Sequence, residues 1–139
     1  MELIRALIPP ADTDVASLLR DEGLFEETAA GLSRVLDPQV RAVAMWESGP
    51  TRTYEGIDGF RKLWLDWLEP WASYHVHVDE FIDRGDRVVL LIRDQATRED
   101  SDAVVELRAG SIWTVSDGRI TNVEFCSRED ALEAAGRAE

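Results

Sequence analysis

The sequence predicts an α+β fold in which a curved, mostly antiparallel sheet wraps around N-terminal helices and forms a cone with an internal pocket. Three observations predict it. Apolar residues recur at helical spacing in the first part of the chain and again over residues 57–69. Four segments between Tyr74 and Cys126 read as strands joined by turns so short that an antiparallel meander results. Helices that precede a run of hairpins pack on one face of the sheet, and a concave sheet closed by helices is a usual place for a small-molecule pocket.

The elements follow in order. Leu3, Ile4, Leu7 and Ile8 have helical spacing that Pro9 and Pro10 interrupt, a short leading half helix. Thr13 or Asp14 caps a helix carrying Val15, Leu18 and Leu19. A second helix runs from Glu26 to about Leu36 with Leu32, Val35 and Leu36 on one face, and Asp37-Pro38 stops it. Val40 to Glu47 alternates as a strand that Ser48-Gly49-Pro50 ends. Ile57, Phe60, Leu63, Trp64, Trp67 and Leu68 mark the clearest helix, Ile57 to Glu69, terminated by Pro70. The strands are Tyr74 to Asp83, Arg87 to Thr97, Ala103 to Ser116 and Arg119 to Cys126. Ser127 caps a last helix whose Glu129 and Asp130 suit the positive end of its dipole.

At 139 residues the chain is one domain, 1–139, large enough to bury a core without disulfides or metal. Apolar residues at 45% and charged ones at 31% exclude the disordered and fibrous classes. Fifteen Lys and Arg against 28 Asp and Glu leave a net charge of -13, which repels phosphate backbones and anionic headgroups, so neither nucleic acid nor a membrane is expected as a partner. The lone cysteine, Cys126, has no internal disulfide partner, and the N-terminus lacks a long apolar run and a basic region. A cytoplasmic location is the expectation.

Tyr54-Glu55-Gly56-Ile57-Asp58-Gly59-Phe60 opens the Trp-rich helix, and Gly85-Asp86-Arg87-Val88-Val89, Ile112-Trp113-Thr114-Val115-Ser116-Asp117-Gly118-Arg119-Ile120 and Arg128-Glu129-Asp130-Ala131-Leu132 follow. Together, from Trp46 to about Gly136, these motifs resemble the SnoaL-like branch of the nuclear-transport-factor-2-like superfamily, which also holds ketosteroid isomerases, scytalone dehydratase and limonene epoxide hydrolase. The resemblance implies the cone, its pocket and no metal. Enzymes, binders and transport adaptors share that fold, so the site decides function.

The stretch Glu47 to Gly56 resembles the segment where ketosteroid isomerases place their general base, which makes Glu47 the candidate base. A carboxylate at the rim of an apolar cone has its charged form disfavoured and its pKa raised toward the range useful for proton abstraction, with Trp46 as an apolar wall. The other reading ends a strand at Glu47 in solvent or pairs it with Arg52. Ser111 stands where the relatives carry an acidic residue; its hydroxyl orients a substrate oxygen but is no substitute for a protonated carboxylic acid. No tyrosine precedes Tyr54, and since the isomerase oxyanion tyrosine comes from the N-terminal helices, steroid isomerisation is rejected. Trp64 falls at a position resembling a pocket tyrosine of the isomerases, and with Tyr54, Phe60, Trp67, Trp71 and Trp113 it forms either an aromatic box for a flat or hydrophobic ligand or plain core.

His75 and His77, two apart on one strand, either share a metal, with Asp79 as a possible third ligand, or sit at the pocket rim or surface; no metal is expected. Arg93 or Arg108 pairs with Glu106 across strands on the convex face, and Asp94 and the histidines are reserve catalytic groups. Val88 to Ile92 is apolar on both faces, which implies a homodimer through the convex sheet face. Cys126 reads as a small buried hydrophobe rather than a nucleophile. The expected function is a cofactor-independent general acid/base enzyme, of isomerase, cyclase or hydrolase type, acting on an apolar small-molecule ligand with Glu47 as base and Ser111 as orienting donor. The alternative is a non-catalytic ligand-binding or protein-interaction module of the same fold.

Overall fold

The computed structural model describes residues 2–8, 12–45 and 51–136. Its elements are α1 (Glu2–Leu7), α2 (Val15–Arg20), α3 (Glu22–Val35), β1 (Leu36–Ala44), β2 (Arg52–Glu55), α4 (Gly56–Leu68), β3 (Ser73–His75), β4 (Val78–Arg84), β5 (Arg87–Thr97), β6 (Val104–Ser116), β7 (Arg119–Cys126) and α5 (Arg128–Ala134). The seven strands form one curled sheet in the order β2-β1-β7-β6-β5-β3, with β4 also paired to β5. Every pairing is antiparallel except that of β1 with β7. Among the described residues no helix is long and apolar enough to cross a membrane.

Local chemistry sets the element ends. Asp14 caps α2 by accepting the Ala16 N–H, and the same oxygen accepts the Tyr74 N–H at 3.0 Å, which ties the start of α2 to β3. Asp21 caps α3 through the Leu24 N–H, so that helix begins at Glu22, ahead of the Glu26 expected from the apolar face. Leu36 is already extended, and Asp37-Pro38 lies inside β1 instead of ending a helix. The ladder to β7 is irregular between Leu36 and Arg41, and a proline without an N–H is accommodated there. The short exposed β2 carries no apolar alternation, which left it invisible to periodicity. The expected strand from Tyr74 is broken at Val76-His77 into β3 and β4, both of which pair with β5. Gly56, at φ 78°, turns the chain from β2 directly into α4, a conformation that favours glycine.

The concave face buries Val88, Leu90 and Ile92 of β5, Trp113 of β6 and Phe125 of β7 in one core with Phe60, Leu63 and Leu68 of α4. On the other face Ile82, Val89, Leu91, Ile112 and Cys126 pack with Ala131 of α5 and with Ala135, which caps its end. The doubly apolar run on β5 is therefore covered outside by the chain's own C-terminal helix, and the reason for expecting a homodimer through the convex face is met within one chain. Gly110 makes this possible, because a Cβ there would overlap the Cβ of Ala131.

Candidate functional site

Between α4 and the concave face lies a cavity of about 330 Å³. That volume is within the range of small-molecule sites. Trp64 and Trp67 of α4, Tyr74 of β3, Trp113 of β6 and Phe125 of β7 line it, together with Leu63, Val76, Leu90, Ile92 and Leu107. The rings meet edge to face: Trp64 stands 5.9 Å from Tyr74 and 5.5 Å from Phe125, and Trp113 is 6.1 Å from Phe125. Such contacts fix the aromatic wall beyond what burial alone does.

Set into this wall is a carboxylate. Asp94 follows Val88, Leu90 and Ile92 at the inward-facing positions of β5 and is only 5% exposed. Tyr74 lies opposite Ala96, diagonal to Asp94, and its hydroxyl donates to Asp94 Oδ2 at 2.6 Å while accepting from Trp67 Nε1 at 2.8 Å. The His77 N–H donates to Asp94 Oδ1 at 3.2 Å. Burial pushes the Asp94 carboxyl up to about 6, and the hydrogen bonds from Tyr74 and His77 oppose that push without cancelling it. Burial, together with the adjacent Asp94 charge, drives the Tyr74 hydroxyl far upward, so it remains a proton donor.

Ser111, opposite Leu90, is also in the wall and has no exposed surface. Its Oγ accepts from Trp113 Nε1 at 2.8 Å. A hydroxyl that accepts one bond still carries a proton to donate. Of the residues expected at the site, Ser111, Trp64, Trp67 and Trp113 come together around the cavity. Two do not. Phe60 packs behind the wall, 6.3 Å from Trp113, and Tyr54 lies on the outside, where its hydroxyl donates to Asp66 at 2.7 Å. Tyr54 follows the strand rather than the helix stripe, and its exposed ring end reaches α4 from outside. Trp46 and Glu47 lie outside the described residues; Met45, just before them, lines the cavity.

Sequence reasoning kept Asp94 only in reserve and missed Tyr74. The available signal was parity: the apolar positions 88, 90, 92 and 96 of β5 enclose one aspartate of the same parity. The neighbouring outward residues follow the expected ionic pattern, with Arg93 at 3.6 Å and Arg108 at 3.3 Å from Glu106. Asp79 joins them by pairing with Arg93 at 3.1 Å and Arg128 at 2.8 Å. His75 and His77 line a separate space of about 140 Å³ with Arg93 and Gln95, and His77 stands 3.8 Å from Asp79. Among the described residues no three His, Cys, Asp or Glu side chains are grouped to hold a metal. Burial, with Asp130 and Glu124 nearby, pushes the Cys126 thiol up to about 12, which leaves it un-ionised and unreactive near neutral pH.

Comparison with known proteins matches the SnoaL-like domain family over residues 21–123. No curated protein matches the sequence. Among solved structures, a protein from Jannaschia sp. CCS1 named as a SnoaL-like polyketide cyclase superposes over 99% of this chain and 91% of its own, with TM-score 0.65 and 18% identity. TerC, co-crystallised with polyporic acid, covers 97% of this chain and 98% of its own, with TM-score 0.63 and 21% identity. An NTF2-like protein from Burkholderia thailandensis E264 covers 91% and 99%, with TM-score 0.60 and 20% identity. At these identities the likeness establishes the fold alone.

Proposed function

The chain belongs to the SnoaL-like domain family, and we propose that it binds a small, largely apolar molecule in the cavity and transfers a proton on it by general acid/base catalysis without a cofactor. The observation that carries this reading is Asp94, a buried carboxylate facing an aromatic cavity, hydrogen-bonded to a tyrosine and held near pKa 6. A group poised this close to neutrality accepts and returns protons efficiently. At pH 7 it is roughly nine-tenths ionised, so it starts as a base. It takes the proton of an acidic C–H or O–H bond, the bonding electrons remain on the ligand as an oxyanion, and the protonated carboxyl later gives the proton back. Tyr74, which donates to the carboxylate and is fixed by Trp67 and by the Asp14–Tyr74 backbone contact, is a positioning residue. Ser111 supplies a hydrogen bond to the developing oxyanion. Glu47, two residues beyond the cavity-lining Met45, is proposed as a second carboxylate at the rim.

The test separates binding from chemistry. Tryptophan emission is followed while apolar aromatic molecules are titrated in, beginning with polyporic acid because TerC was crystallised with it. Trp64→Ala is expected to weaken binding, and a bound ligand is then assayed for turnover with Asp94→Asn and Glu47→Gln beside the parent. Turnover that survives Asp94→Asn overturns the assignment of the base. A second reading, a non-catalytic binding module, is favoured by the fact that both Asp94 oxygens already accept protein hydrogen bonds. It is upheld if ligands bind and none is converted.

A further inference from the structure

The outer face of the sheet holds a second space, separated from the aromatic cavity by Val76, which lines both. Arg93 and Gln95 of β5 point into it, alternating with the buried Asp94 and Ala96. His75 of β3 lies directly opposite Gln95. Past the break in that strand the Arg93 N–H donates to the His77 carbonyl at 2.8 Å, so His77 stays beside Arg93. The four side chains thus mark the corners of a rectangle, about 7 Å along the strands and about 5 Å across them, around a space of about 140 Å³. We propose that this rectangle binds a tetrahedral oxyanion of the sulfate or phosphate class, free or as the head of a small ester.

The donor set identifies the ligand. A guanidinium carries five N–H groups, and the contacts of Arg93 with Asp79 through Nε at 3.1 Å and with Glu106 through Nη1 at 3.6 Å engage two of them. Those contacts orient the guanidinium and leave donors for a ligand. Asp79 is shared with Arg128 of α5 at 2.8 Å, and Glu106 with Arg108 of β6 at 3.3 Å, so in this ionic cluster three arginines stand against two carboxylates. Asp79, 3.8 Å from His77, and Arg93 are the charged groups that face the imidazoles. A protonated imidazole adds a positive charge and offers both ring nitrogens as donors, and the Gln95 amide offers two N–H more. Four donor groups around one space suit an anion with four oxygens better than a planar carboxylate with two. The guanidinium also repels a metal cation from the same space, which sets the sign of the ligand. The net charge of -13 opposes any anion, so binding depends on these local donors and strengthens when the imidazoles are protonated.

The experiment follows the imidazole signals of the full chain by NMR while sodium sulfate is titrated in, with ionic strength held constant by sodium chloride. The chain has two histidines, so both signals report on this space. At pH 6 both are expected to shift and saturate together. At pH 8, where sulfate keeps its charge and histidines lose theirs, the dissociation constant is expected to rise at least about tenfold. Arg93→Gln is expected to weaken binding at least about tenfold as well, whereas Arg119→Gln, an exposed arginine at the start of β7, leaves it unchanged. Circular dichroism checks folding, and if Arg93→Gln unfolds, Gln95→Leu decides, since it keeps every charge and removes one donor. Phenyl phosphate distinguishes the two sources at pH 6: tighter binding than sulfate assigns the site to an ester head, and equal or weaker binding to a free anion. Shifts that never saturate or that chloride alone reproduces, an affinity indifferent to pH, or equal losses in Arg93→Gln and Arg119→Gln overturn the proposal.

Discussion

Asp94 and Asp79 sit on paired strands and differ in almost everything that gives a carboxylate its role. Asp94 faces inward from β5 among aromatic neighbours, and burial raises it to about 6. Asp79 lies on β4, on the outer side; hydrogen bonds from Arg128 and then Arg93, outweighing a modest burial effect, hold its carboxyl below the ordinary 3.8. The inner aspartate is tuned to change charge near neutrality, and the outer one to keep it. The difference shows that the face of the sheet, more than the residue type, decides which acid is available for chemistry.

The largest effect that would break this contrast comes from Asp94→Asn. On a converted ligand it is expected to lower kcat/KM by about 10² to 10⁴, the usual worth of a positioned acid or base. The parent's kcat/KM rises with pH through about 6 as Asp94 ionises. The same variant reads out without a ligand. In the parent, tryptophan emission changes with a midpoint near 6, because Trp67 and Trp64 border the Tyr74–Asp94 pair; in the variant that step is absent. An asparagine still accepts from the His77 N–H through its oxygen and turns its NH₂ toward the Tyr74 oxygen, so the fold survives with one hydroxyl proton unpaired.

Next in size are two changes that test how each face is held. Gly110→Ala forces a methyl group into Ala131 and is expected to cost about 1 to 3 kcal/mol by urea unfolding. Ala131→Gly in the same chain should recover part of it, because the new Cβ still meets the Ser127 carbonyl at 3.1 Å and a glycine weakens α5. Tyr74→Phe removes the hydroxyl that links Trp67 to Asp94 and is expected to cost about 1 to 3 kcal/mol. It also moves the Asp94 midpoint above 6, since the tyrosine hydrogen bond is one of the two influences that lower it. An unchanged or falling midpoint would mean that Tyr74 does not hold the carboxylate.

Most of this architecture is legible in the residues themselves. The 3.6-residue stripe of α4, the short turns of the meander and the caps at Asp14 and Ser127 are local signals, and the structure follows them. The α3 start and the β1 start were misplaced because a cap and a bulge outweighed the apolar pattern, and β2 was missed because an exposed edge strand has no pattern to read. For the site, Trp64 and Trp67 could be named from the helical stripe, and Ser111 and Trp113 from the motif that carries the family resemblance. The Tyr74–Asp94 pair could not, because it depends on β3 pairing with β5 in one register, a contact between residues twenty apart that no local pattern records.

The smallest expected effect sharpens the contrast most. Asp79→Asn removes a carboxylate shared by two arginines at an exposed position and is expected to change unfolding stability by less than about 1 kcal/mol at neutral pH, shrinking further with added salt. Its pH signature is the decisive part. A carboxyl held below its ordinary value stabilises the fold above about 3.8 and loses that contribution only in stronger acid, so between pH 5 and 8 Asp79 contributes no slope. Asp94 does the opposite. Raised from 3.8 to about 6, it favours the fold fully only below its unfolded value. The advantage disappears as pH rises through the folded value, a change of about 3 kcal/mol. Urea unfolding of the parent, Asp79→Asn and Asp94→Asn from pH 4 to 8 should therefore give a downward slope with rising pH in the first two and a flatter line in the third. If the slope instead vanishes with Asp79→Asn, the titrating carboxylate is the outer one and the assignment of faces is reversed.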